Sequence, residues 1–180
     1  MKKYDCVFLD RDGTINPDPG YIKNLKSFKF FDFVFPALKK ISEVSNKFCI
    51  VSNQSGVARG MIEKSNIYKI NDYILEQFSI NEIQLVDIYV CFDHPDHPTQ
   101  RRKPGPGMFL EAEKCHNISL SESLIIGDSI CDIQAGKSLG MDTMLVLTGN
   151  GEKTKFELMD YDIPTYIVDD LKEGASKICH

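Results

Sequence analysis

A chain of 180 residues with 42% hydrophobic and 26% charged side chains has the make-up of a folded globular domain, and its net charge of −5 disfavours nucleic acid as the main partner. The length fits one domain, residues 1–180, able to bury a substantial core. No apolar run reaches the length of a membrane span or a signal-peptide core, and the six scattered cysteines, several inside apolar runs, point to a cytoplasmic address rather than a disulfide scaffold; a monomer is expected.

In chain order, apolar bursts alternate with helical patterns. Residues 6–9 (CVFL) read as a strand that runs straight into Asp10-Arg11-Asp12-Gly13-Thr14. Pro36 suits the first turn of a helix that continues with Ala37, Leu38, Ile41 and Val44 at helical spacing. A second strand, 48–51, leads into Ser52-Asn53-Gln54-Ser55-Gly56, and Ile67, Ile70, Ile74 and Phe78 mark the next helix. The third strand, 87–91, opens onto CFDHPDHP and then the basic run from Arg101 to Lys103, bracketed by prolines and glycines. Met108, Ala112 and Cys115 form a third stripe. The fourth strand, 123–127, ends at Gly127-Asp128, and Ile133 to Leu139 reads as a fourth helix. Residues 143–147 and 165–168 are the last strand candidates. Short, bounded, β-branched strands alternating with helices imply a doubly wound α/β fold, a mainly parallel sheet flanked by helices. In such sheets chemistry gathers at the carboxyl ends of the strands, and the polar clusters fall there.

Asp10 and Asp12 stand two residues apart at the end of the first strand, with Gly13 permitting a tight turn. Two carboxylates so close repel unless a shared proton or a hard divalent cation such as Mg²⁺ relieves them. Taken alone, the pair also fits a solvated turn with an aspartate cap. Ser52 to Gly56 offers hydroxyls, amides and flexible backbone for phosphate oxygens, or equally a helix cap. The Arg101 to Gly107 run is a rigid cationic turn at a helix start, suited to an anion or simply to solvent. Asp128 is a further candidate metal ligand or a cap, with Asp132 four residues on. Carboxylates, hydroxyl, lysine and carboxylate at four successive strand ends are far less ordinary together than singly.

That order resembles the haloacid dehalogenase-like phosphohydrolases, with their DxDGT, Ser/Thr, Lys and GDxxxD motifs. FLDRDGTIN, DPGY, SNQSGVARG and RKPGPGM are closer still to the D-glycero-D-manno-heptose 1,7-bisphosphate 7-phosphatases, and the histidinol-phosphate phosphatases share most of this pattern. The resemblance implies a Mg²⁺-dependent phosphatase acting on a small sugar phosphate in the synthesis of nucleotide-activated heptose for lipopolysaccharide or another surface polysaccharide. It implies Asp10 as nucleophile, Asp12 as general acid and base, and Ser52 and Lys103 as holders of the phosphoryl group. Magnesium would be held by Asp10, Asp128 and the backbone carbonyl of Asp12. Substrate contacts would come from Asp18, Pro19, Gly20, Tyr21, Ser52, Asn53, Gln54, Ser55, Arg59, Arg102 and Lys103. Histidinol phosphate, or another small phosphate ester, is the alternative substrate.

Two departures from the family pattern carry expectations of their own. The zinc loop that the family often has after the third strand is broken, because Asp93 stands at the histidine position and Thr99 and Arg101 at the later cysteine positions. No zinc is therefore expected, although Cys91, His94 and His97 form a rival set. Ser129 stands where relatives commonly have lysine, which leaves the preferred anomer open. The intervals from Asp12 to Ser52 and from Ser52 to Lys103 are each used up by one helix and its loops, leaving no room for a cap domain.

Overall fold

The computed structural model describes residues 1–179. Six strands, β1 (Val7–Leu9), β2 (Phe48–Asn53), β3 (Leu85–Cys91), β4 (Leu124–Gly127), β5 (Asp142–Val146) and β6 (Tyr166–Val168), form one sheet in the order β3-β2-β1-β4-β5-β6. Every neighbouring pair is parallel. All six predicted strands are present, with ends moved by a residue or two; β2 runs on through Ser52 and Asn53, so these two residues belong to the strand itself.

The sheet is buried on both faces, and the alternation of strand side chains sorts them between two cores. Val7, Leu9, Phe48, Ile50, Leu124 and Ile126 pack under α1 (Val34–Ile41), α2 (Lys64–Ile80) and α6 (Leu171–Ile178). Phe8, Cys49, Val51 and Ile125 face the other way, onto α3 (Gly107–His116) and α4 (Ile130–Ser138). Val44 lies beyond the end of α1 yet is buried. The third predicted stripe needs correcting. Cys115 is exposed, and Met108, Phe109 and Ala112 make the buried face of α3, because the helix turns its C-terminal end out of the core before Asn117 closes it in a left-handed conformation. A sixth helix, α5 (Gly151–Glu157), follows β5.

Strand order reverses at β1, whose neighbours β2 and β4 carry the chain to opposite sides. A doubly wound sheet opens its crevice at the carboxyl ends of the strands flanking that reversal. Asp10 follows β1 and Asp128 follows β4. No cap interrupts the two intervals: the first holds α1 and a single 3-10 turn at Leu25–Ser27, and the second holds α2 and β3. Among the described residues no helix is long and apolar enough to cross a membrane.

Candidate active site

A cleft of about 340 Å³ opens at the reversal point, within the range of small-molecule sites. At its floor Asp10, Asp128 and Asp132 each offer a carboxylate oxygen, all within 4.8 Å of one another. Lys103, 3% exposed, reaches in from the loop before α3. Its ammonium lies 2.9 Å from Asp10 Oδ1 and 2.6 Å from Asp132 Oδ1, and donates to the Val51 carbonyl at 2.7 Å. One cation thus pairs with two of the three carboxylates. Burial, with Asp132 and Asp128 nearby, pushes the Asp10 carboxyl well above its usual range even against Lys103. Burial and Asp132 likewise raise Asp128, to about 7. Lys103 is itself raised: burial opposes its charge, and Asp10 and Asp132 more than compensate.

The floor is built by close backbone approach. Gly13, at φ +85°, and Gly149, at φ +57°, both lie against the Asp128 carboxylate, where any Cβ would collide with it. Gly127 leaves the same space for Asp132. The Asn150 backbone N–H donates to Asp128 Oδ2 at 2.7 Å, and the Ser129 N–H donates to Asp132 Oδ2 at 3.1 Å.

Asp12 sits apart from this cluster. Arg11 donates to it through Nε at 3.1 Å and Nη2 at 2.7 Å, Asn16 through Nδ2 at 2.8 Å, and Gln54 through Nε2 at 2.7 Å. Burial works against its charge, yet the Arg11 guanidinium and these hydrogen bonds outweigh it and hold the carboxyl below its usual value.

The cleft brings together most of the residues the sequence singled out. Asp10, Asp12, Ser52, Lys103 and Asp128 line it, as do Asp18, Gly20, Tyr21, Asn53, Gln54, Ser55 and Arg102. Pro19 and Arg59 are exposed and lie outside it, Arg59 being carried outward on the turn after Ser55. Two residues expected only to meet substrate are engaged within the protein. Asn53 clasps the Lys103 backbone with two hydrogen bonds of 3.1 Å, and Gln54, 5% exposed, bridges Asp12 and Ser52 Oγ. Cys91, His94 and His97 do not gather: Cys91 is buried beside Asp93, and Asp10, Asp128 and Asp132 are the one such group among the described residues. Arg11, Asn16, Asp132 and Asn150 join the site without a role read from the sequence. Asn150 was detectable, since Thr148-Gly149-Asn150-Gly151 is a polar cluster at a fifth strand end.

The donor set fits magnesium: every offered atom is a carboxylate oxygen, and the surplus negative charge calls for a hard cation. The same architecture recurs in known proteins. Residues 100–174 match a family model described as HAD-hydrolase-like. A D-glycero-beta-D-manno-heptose-1,7-bisphosphate 7-phosphatase of Yersinia pestis is 36% identical over 152 residues, covering 80% of this chain and 81% of its own. The chain belongs to the heptose-1,7-bisphosphate 7-phosphatase family. It is a phosphoric monoester hydrolase. A Burkholderia mallei member, named for the alpha anomer, is 34% identical over 81% of this chain and 80% of its own. The crystal structure of the D,D-heptose 1,7-bisphosphate phosphatase from B. bronchiseptica, complexed with magnesium and phosphate, superposes with a TM-score of 0.86 at 28% identity over 97% of each chain. Family members similar to this chain thus carry either anomer in their names.

Proposed function

We propose that the protein removes the 7-phosphate of D-glycero-D-manno-heptose 1,7-bisphosphate through a phosphorylated Asp10. The observation that carries this reading is the pairing at the floor of the cleft: a carboxylate backed by Lys103 at 2.9 Å, with a second carboxylate, Asp12, held separately two residues along the chain. Asp10 attacks phosphorus, and the bond from phosphorus to the sugar oxygen breaks as Asp12 protonates that oxygen. Water then attacks the phosphoryl group, gives its proton to Asp12, and inorganic phosphate leaves with Asp10 restored. Arg11, Asn16 and Gln54 favour the ionised form of Asp12, so to act as an acid it must take up a proton with substrate bound and one of these donors must give way. Lys103 and Ser52 steady the phosphoryl oxygens. Magnesium, held by Asp10, Asp128 and the Asp12 carbonyl, would screen the repulsion between Asp10 and the phosphate. Asp132 would serve chiefly to fix Lys103, and zinc has no part in this reading.

Retaining the 1-phosphate suits a product destined for nucleotide activation in surface-polysaccharide synthesis. Phosphate release should be measured over sugar mono- and bisphosphates, histidinol phosphate and a generic aryl ester. The heptose bisphosphate is expected to give the highest kcat/KM, with activity lost in excess EDTA and in a folded Asp10→Asn variant. Substantial turnover by clean Asp10→Asn would sink the covalent route, and full activity in EDTA would remove the metal.

A further inference from the structure

The Asp12 carboxylate is gripped from behind by a side chain that no substrate can reach. Arg11 is 0% exposed and heads the fully buried side chains by volume. Its Nε and Nη2 fork onto the two Asp12 oxygens at 3.1 and 2.7 Å. Asn16 adds a second donor to Oδ1 and Gln54 a second to Oδ2, so each oxygen accepts two hydrogen bonds and the carboxylate plane is set. The third guanidinium nitrogen, Nη1, is buried without a partner. A pair kept for stability alone would not strand a donor in this way, because a buried ion pair is rarely better than an apolar filling and an unmet buried donor is worse. The side chain is therefore spent on geometry.

We propose that Arg11 is a positioning residue that aims Asp12 at the leaving oxygen and later at the attacking water, with Gln54 tying that aim to Ser52 in the phosphate cradle. The proposal rests on Asp12 acting as acid and base. Lysine cannot replace the fork, since a single ammonium fixes one oxygen and leaves the plane free to turn.

General-acid help matters most when the leaving group is poor, and kcat/KM reports the steps up to its departure. The test compares kcat/KM on dinitrophenyl, phenyl and benzyl phosphate for the wild type, Arg11→Met, Arg11→Lys and Asp12→Asn. Arg11→Met should lose roughly ten- to a hundredfold more on benzyl than on dinitrophenyl phosphate, a fraction of the full acid–base effect. Arg11→Lys should show the same slope at smaller size, and it keeps the buried charge balanced if the methionine variant fails to fold. Acid-quenched Arg11→Lys should also accumulate phosphorylated protein, because the second proton transfer is misaimed too. Equal losses on all three esters in a cooperatively unfolding Arg11→Lys protein, alongside a steep slope in Asp12→Asn, would overturn the positioning role and leave the catalytic reading intact. A flat slope in Asp12→Asn would overturn both.

Discussion

Asp128 shows how far a residue can be shaped for its site at the cost of the fold. It is 1% exposed, shares its space with Asp10 and Asp132, and is pressed on by two glycines whose positive φ admits no side chain cheaply. In metal-free protein that crowding opposes folding; a cation that joins the carboxylates reverses it. Magnesium should therefore raise Tm, by an amount that grows with its concentration. Asp128→Asn should raise the metal-free Tm by a few degrees, abolish the magnesium-dependent gain, and reduce turnover by at least a hundredfold. Thermal scans with and without magnesium check this; a metal-free Asp128→Asn less stable than wild type would contradict the crowding. Such residues were legible because charge at a strand end has few uses. Arg11 and Gln54 were not, since a cation beside two aspartates and an amide in a phosphate loop read naturally as solvent-facing or substrate-facing. Only the fold shows that both turn inward onto Asp12.

Between elements, Asp5 ties the entries of three strands together just before β1. Its carboxylate accepts from Lys47 at 2.9 Å, at the start of β2, and from the Ser119 N–H at 2.7 Å, shortly before β4. Partial burial raises its pKa, but the Ser119 hydrogen bond and Lys47 prevail and lower it. A carboxyl depressed in the folded state contributes stability above its unfolded value, near 4, and loses it as pH falls through the lower folded value. Asp5→Asn should cost about 1 kcal/mol at pH 7, given the partly exposed geometry. The difference from wild type should shrink below about pH 4; urea titrations at the two pH values measure it, and a constant difference would refute the assignment. The strands were readable because each is a bounded, β-branched run buried on both faces. α5 was not readable, for it has no apolar stripe; it buries only Gly151 and Thr154, and Thr154 Oγ1 donates to the Asp128 carbonyl at 2.8 Å. α6 did carry a signal in its capping pair: Asp170 accepts from the Glu173 N–H at 2.8 Å, and Glu173 from the Asp169 N–H at 2.6 Å.

At the scale of the whole molecule, an uncapped sheet leaves selectivity to the loops around the cleft. Asp18, Gly20 and Tyr21 line one side, and Arg102 enters from the loop before α3 beside Lys103. Asn150 links the two halves of the site, holding Asp128 through its backbone and lying 3.4 Å from Asp18 Oδ2 through its side chain. On the proposed reading, one phosphate sits at Asp10 and the second phosphate of the heptose would be met at a distance. Arg102, whose Nη1 lies 3.5 Å from the Asp93 carbonyl oxygen, is the cation in the cleft wall that is not paired with Asp10 or Asp132. Its guanidinium can take phosphate oxygens in pairs. Removing the 1-phosphate should lower kcat/KM roughly ten- to a few-hundredfold if those charge-assisted contacts contribute about 1.5–3 kcal/mol. Arg102→Ala should erase most of that preference while slowing an aryl ester far less. Arg59→Ala, changing a residue carried outside the cleft, should leave the preference nearly as it was. Kinetics on the heptose bisphosphate and the 7-monophosphate decide the matter. If Arg59→Ala abolishes the preference and Arg102→Ala keeps it, the remote phosphate sits on the other side of the cleft; if histidinol phosphate is turned over as well as the bisphosphate, the loops do not select for a second phosphate at all.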